Sequence, residues 1–187
     1  MPRSEEERSE RRRKRVELKD PDALCIMAMM YGRGQNGLPV DQAKCIELLR
    51  QSASLGCPGA QFTLGNFYDI GAMGLEQNKE KATEYWKKAA EDGHVISRHN
   101  LGCEDDDNGD VVAAMRHWRL AASGGVRSSM NNVIARFELG LLHHANLAET
   151  AQAFYLARSE IKSEDRDQYM KHLKMIGEYE EEYDNFN

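Results

Sequence analysis

Few residues in this 187-residue sequence are spaced for chemistry. His99 and Cys103 stand four apart, so on one helix both would face the same side and could share a metal ion. A tetrahedral site needs two further ligands, and His94 is the one nearby candidate. Glu104-Asp-Asp-Asp-Asn-Gly109 matches part of a calcium-binding loop, with Gly109 in the sixth place. The twelfth place holds Met115 where a bidentate glutamate is required, and the first holds Glu104 rather than aspartate. A short turn capping a helix that starts near Asp110 accounts for the same residues. The glycines of GRGQNG (Gly32, Gly34 and Gly37) fall in a turn between helices, not between strand and helix as a phosphate loop requires. There is no G-x-S-x-G elbow and no H-E-x-x-H helix. No histidine is paired by sequence logic with a nucleophile and an orienting acid. The sequence therefore reads as non-catalytic, with no cofactor, no metal site and no small-molecule substrate.

The remaining reactive side chains fit a structural role. Cys25, Cys45, Cys57 and Cys103 are widely spaced, with no C-x-x-C pair to signal zinc or redox chemistry. In apolar surroundings such thiols act as small core residues. A net charge of −6 weighs against a dedicated nucleic-acid binder. Arg11–Arg15 (RRRKR) is a candidate nuclear signal, yet Glu7–Arg11 and Glu10–Lys14 at i,i+4 also make a solvated helix of it. No apolar run approaches the ~20 residues that span a bilayer, and the N-terminus lacks the apolar middle of a secretory signal. The expected location is cytoplasmic, or nuclear through Arg11–Arg15.

What must position these side chains is a repeat. Three segments align: 22–58, 59–95 and 96–126. Ala23 to Ala60, Gly56 to Gly93 and Leu64 to Leu101 are each 37 residues, whereas Trp86 to Trp118 and Gly93 to Gly125 are 32. Within a repeat, Leu64 to Trp86 is 22 and Leu101 to Trp118 is 17, so the third repeat has lost five residues between its two helices. A loop tolerates such a loss. In the second segment Ala60, Leu64, Phe67 and Tyr68 recur at helical spacing, then Gly71 and Gly74 break the helix. Asn78 can cap the next helix, and Ala82, Tyr85, Trp86, Ala89 and Ala90 form one face of it. Gly56, Gly93 and Gly125 close the second helices. Trp86 and Trp118 hold equivalent core positions. A lone hairpin cannot bury both faces, so the units must stack.

The run Ala60, Leu64, Gly65, Tyr68, Gly71, Gly74, then Lys81, Ala82, Tyr85, Trp86, Ala89, Ala90 and Gly93, resembles the Sel1-like repeat, a relative of the tetratricopeptide repeat. The first repeat departs from it with Met27-Ala28 and Leu48-Leu49, and the third lacks the tyrosine and the glycine-rich turn. The resemblance implies an all-α, right-handed α-solenoid of about four antiparallel helix-turn-helix repeats, with a flanking N-terminal and C-terminal helix. The expected organisation is a charged helix or linker over 1–21, three repeats over 22–126, a degenerate fourth repeat and capping helix over 127–178, and an acidic tail over 179–187. Helices of the fourth hairpin are placed near Ser128–Leu142 and Leu147–Ile161, with a last one over Glu164–Tyr179.

The resemblance also implies a protein–protein interaction scaffold or adaptor whose partners, unidentified proteins, lie in a concave groove. Its groove columns carry over to Cys25, Phe62 and His99, then to Met29, Asn66 and Cys103, with Asp69 beyond Asn66. The run PRSEEERSERRRKRVELKDPDA is similar to a linker that in protist relatives follows a RING-type zinc finger; the finger's cysteines are absent here. That gives a first alternative, a substrate-recruiting module of ubiquitin transfer, vestigial or acting in trans. A second, an RNA-binding helical repeat, would need a basic groove, and these columns offer Asn, Asp, Cys and Met instead.

Overall fold

A computed structural model describes residues 5–157, with side chains from Glu10 onward. Among the described residues the chain is all helix: α1 (Glu5–Glu17), α2 (Pro21–Arg33), α3 (Gln42–Ser54), α4 (Pro58–Ile70), α5 (Lys79–Glu91), α6 (Val95–Asp107), α7 (Val111–Ser123), α8 (Arg127–Glu138) and α9 (His144–Ala157). The chain divides into two compact units, 1–101 and 102–187, the division falling inside α6.

Local chemistry sets the helix limits. Asp20, Asp41, Asn78 and Asp110 each precede a helix and accept an amide N–H from three residues on, at 2.8–2.9 Å. Gly34 and Gly71 end α2 and α4 in left-handed conformations. The same second-helix caps carry a backbone bond that closes each hairpin. Asp41 N–H donates to Tyr31 C=O, Asn78 N–H to Tyr68 C=O and Asp110 N–H to Asp105 C=O, at 2.8–2.9 Å. Asp105 is the register counterpart of Tyr68, so the third repeat makes the same closure with five fewer intervening residues. The deletion is absorbed wholly by the turn.

In the first unit α2 pairs with α3 and α4 with α5, α3 packs on α4, and α1 lies against α2. Leu24, Ala28, Cys45, Leu49, Cys57, Ala60 and Leu64 form one core, and Tyr68, Ala82, Trp86, Ala90 and Leu101 another. Register-equivalent polar bonds join successive hairpins: Gln61 Nε2 donates to Ala53 C=O (3.4 Å) and Arg98 Nη2 to Ala90 C=O (2.9 Å). Ser52, fully buried, donates from Oγ to Pro21 C=O at 2.6 Å, fastening the end of α3 to the start of α2.

In the second unit α7, α8 and α9 pack on one another around Met115, Trp118, Val133, Leu147 and Phe154. Arg136 pairs with Asp106 at 2.6 Å and lies over the Trp118 ring at 5.5 Å. The fourth hairpin differs from expectation at its ends. The helix placed at Ser128–Leu142 stops at Glu138, because Gly140 turns the chain with φ +73°, and its partner starts three residues early, at His144. The helix expected at Glu164–Tyr179 and the acidic tail lie outside the described residues.

The repeat motif has a steric basis. A Cβ at Gly65 would sit 2.5 Å from Trp86 Cδ1, and one at Gly102 would sit 2.6 Å from Trp118 Cδ1. These glycines are the seats of the two indoles. In the first repeat the corresponding positions hold Ala28 and Leu49, both fully buried. A larger residue on the first helix goes with a smaller one on the second.

Candidate functional site

Six of the seven residues assigned to the groove lie in the first unit. Phe62 and Asn66, on α4, are half-buried and one turn apart. Phe62 meets His94 ring to ring, with centroids 4.5 Å apart and planes tilted by 33°. His94 is fixed from behind: its Nδ1 accepts the Ser97 N–H (3.2 Å) and lies 3.0 Å from Ser97 Oγ, capping the start of α6. Burial holds the His94 and His99 imidazoles below their ordinary pKa, favouring the neutral ring. A proton on Nδ1 of His94 would remove the acceptor that caps α6.

Asn66 is pinned by two donors. Trp86 Nε1 donates to Asn66 Oδ1 at 3.0 Å, and Asn100 Nδ2 donates to the same oxygen at 3.3 Å. Because an indole N–H can only donate, the orientation of the Asn66 amide is determined. Its Nδ2 and the Asn100 Oδ1 remain as donor and acceptor groups for a further group. This is the hydrogen-bonding pattern of a peptide unit in reverse.

The other assigned residues are placed differently. Asp69, beyond Asn66, gives its carboxylate to Lys79 Nζ at 2.6 Å and its carbonyl to Gln77 Nε2 at 2.8 Å, so it secures the turn after α4. Cys25 and Met29 are half-buried on α2, and Cys25 turns toward Cys57. Cys103 belongs to the second unit, where it stands beside the Trp118 indole as Asn66 does beside Trp86, and burial raises its thiol pKa. His99 and Cys103 do share α6, but among the described residues no cluster of three or more His, Cys, Asp or Glu is placed to hold a metal ion. Glu104 to Asp107 are the last turn of α6, which leaves no calcium loop there.

Sequence reading missed Asn100 and His94 as companions of Asn66 and Phe62. The available signal was a donor-only indole one repeat element away from an asparagine. It also missed two surface depressions in the first unit. One, of about 780 Å³, lies over α3 and the turn after α4, lined by Gln42, Ile46, Arg50, Met73 and Leu75 among others. The second, of about 350 Å³, is bounded by Arg13, Val16, Met27, Tyr31 and Lys44 among others. Neither contains an assigned groove residue.

Stacked helical hairpins whose small-residue seats receive aromatic side chains define an α-solenoid repeat protein. The Sel1 repeat model matches residues 21–57, 58–94 and 98–126. The chain belongs to the Sel1 repeat family, whose members commonly serve as scaffolds for protein interaction. Two solved structures share the fold. A Sel1 repeat protein from Oxalobacter formigenes is 23% identical with TM-score 0.62, the match covering 66% of this chain and 95% of that one. The protein c5321, described as a protective antigen of uropathogenic Escherichia coli with an SLR fold, is 23% identical with TM-score 0.65. That match covers 81% of this chain and 33% of the other, so this chain spans about a third of its length. Among the described residues no helix is long and apolar enough to cross a membrane.

Proposed function

We propose that this chain is a non-catalytic interaction scaffold that holds an extended peptide or a helix of a partner protein against the first helices of its repeats. The observation that carries the reading is the Asn66 amide, fixed by Trp86 and Asn100 with its donor unused, beside the Phe62–His94 ring pair. Oriented amides give affinity for main-chain groups, and adjacent rings give an apolar anchor for one side chain. Cys25 and Met29 on α2 and His99 on α6 extend the proposed surface along neighbouring first helices; Asp69 contributes by holding the turn, and Cys103 is not needed for it.

The test uses Asn66→Asp. Aspartate keeps an oxygen for Trp86 and Asn100 but replaces the outward donor with an acceptor. Tagged wild type, Asn66→Asp and Phe62→Ala would be used for affinity purification from the native cells, with circular dichroism to verify that each variant stays helical. The expected result is a discrete partner set that Asn66→Asp and Phe62→Ala both lose. A partner set unchanged by both, with helicity intact, would refute this surface as the binding site.

A further inference from the structure

Cys25 and Cys57 are 32 residues apart in sequence and meet in the first unit. Cys25 lies on α2, half-buried, while Cys57 is buried at the residue that precedes α4. Both side chains pack in the same core cluster, and the Cys57 thiol is near enough to help raise the Cys25 pKa. The point where a Cβ of Gly59 would stand is 3.9 Å from Cys57 Sγ and 4.0 Å from Cys25 Sγ, so both sulfurs border the same point at the start of α4. Cys57 is oriented by Asp22, one turn before Cys25, with Sγ 3.6 Å from Oδ1. Cys45 is fully buried, with Sγ 3.1 Å from where a Gly32 Cβ would be.

We propose that Cys25 and Cys57 are a redox pair, joined by a reversible disulfide that ties the first helix of one repeat to the first helix of the next. The oxidant is a small disulfide of the glutathione type. Cys25, the accessible member, attacks it as thiolate, forming a mixed disulfide and releasing one glutathione thiol. Cys57 then attacks the Cys25 sulfur and releases the second. Two protein thiols become one disulfide, and the two protons and two electrons they give up leave on the two glutathione thiols. Burial and the neighbouring thiol push Cys25 up to about 12, so the first exchange is slow at neutral pH. The second is intramolecular between neighbouring groups of one core cluster, which favours closure over a lasting adduct. The inference does not depend on the binding surface proposed above.

The purified full chain would be equilibrated without oxygen in graded mixtures of oxidised and reduced glutathione, quenched with acid, alkylated, digested and analysed by mass spectrometry. The expected product has lost two hydrogens and yields a cross-linked peptide pair carrying Cys25 and Cys57. It is absent in Cys25→Ser and in Cys57→Ser and retained in Cys45→Ser. In strong urea the preference disappears and the share of this pair among all disulfides falls several-fold. A stable glutathione adduct on Cys25 with no Cys25–Cys57 bond would overturn the proposal. So would a Cys25–Cys45 bond in its place, or fully reduced Cys25 and Cys57 after treatment with diamide, which accepts the two hydrogens itself.

Discussion

The glycine seats of the indoles allow a quantitative test at Gly65. Alanine there puts a methyl carbon 2.5 Å from Trp86 Cδ1, 2.6 Å from Nε1 and 3.2 Å from Ala82 C=O. Carbon atoms rest about 3.5–4.0 Å apart, so the overlap with the ring is about 1 Å. Trp86 is only 4% exposed and has little room to yield. Moving the indole by that amount also takes Nε1 out of reach of Asn66 Oδ1, now 3.0 Å away. Overpacking costs about 1–3 kcal/mol, and the lost hydrogen bond adds about 0.5–1.5 kcal/mol. Against this, alanine is about 1 kcal/mol better than glycine inside a helix. The net expectation is destabilisation by about 0.5–3.5 kcal/mol. The first repeat supplies the control, because it pairs Ala28 with Leu49 at the corresponding positions. Gly65→Ala/Trp86→Leu copies that pair. Urea unfolding followed by far-ultraviolet circular dichroism would be measured for wild type, both single variants and the double variant. The double variant should be less destabilised than the sum of the singles by at least about 1 kcal/mol. Additivity within about 0.5 kcal/mol would refute the steric account of the motif.

Other expectations are narrower. Gly102→Ala should destabilise the second unit by a similar amount, read from Trp118 fluorescence during unfolding, since its Cβ meets Trp118 Cδ1 at 2.6 Å. Ser52→Ala should cost about 0.5–1.5 kcal/mol by removing the side-chain bond to the Pro21 carbonyl, measured as a lower urea midpoint at constant slope. Because His94 and His99 have lowered folded pKa values, the unfolded chain binds more protons just below the unfolded value of 6.5. Stability from these rings is therefore complete above pH 6.5 and falls as pH drops through the interval down to the folded pKa. Unfolding free energies from pH 7.5 to 5.5 should decline in wild type and decline less in His94→Asn; equal slopes would exclude His94. Arg136→Ala should lower the stability of the second unit by about 1 kcal/mol in low salt, where its Asp106 pair and its place over Trp118 are both lost.

Much of this molecule was legible along the chain, and the reason is that its signals are local. Capping side chains at Asp41, Asn78 and Asp110 and left-handed glycines at Gly71, Gly93 and Gly125 act within one turn of their own backbone. The 37-residue register and its five-residue deletion follow from the same local units and located both tryptophans in the core before any packing was known. Where a local signal was misjudged, as at Gly140, the helix end was misplaced with it.

The site was less legible. Helical phase says which side of its own helix Asn66 or Cys25 occupies, but not which residue of the next helix stands opposite. That depends on the stagger and crossing of packed helices, set by side-chain volumes distributed over whole interfaces. Tertiary structure alone decided that Trp86 and Asn100 converge on Asn66, that Asp69 serves a turn, and that Cys57 rather than Cys45 meets Cys25. The sequence determined the helices and their repeat because those are written in short-range chemistry. The contacts that give the chain its candidate chemistry were left to packing, because they join residues tens of positions apart.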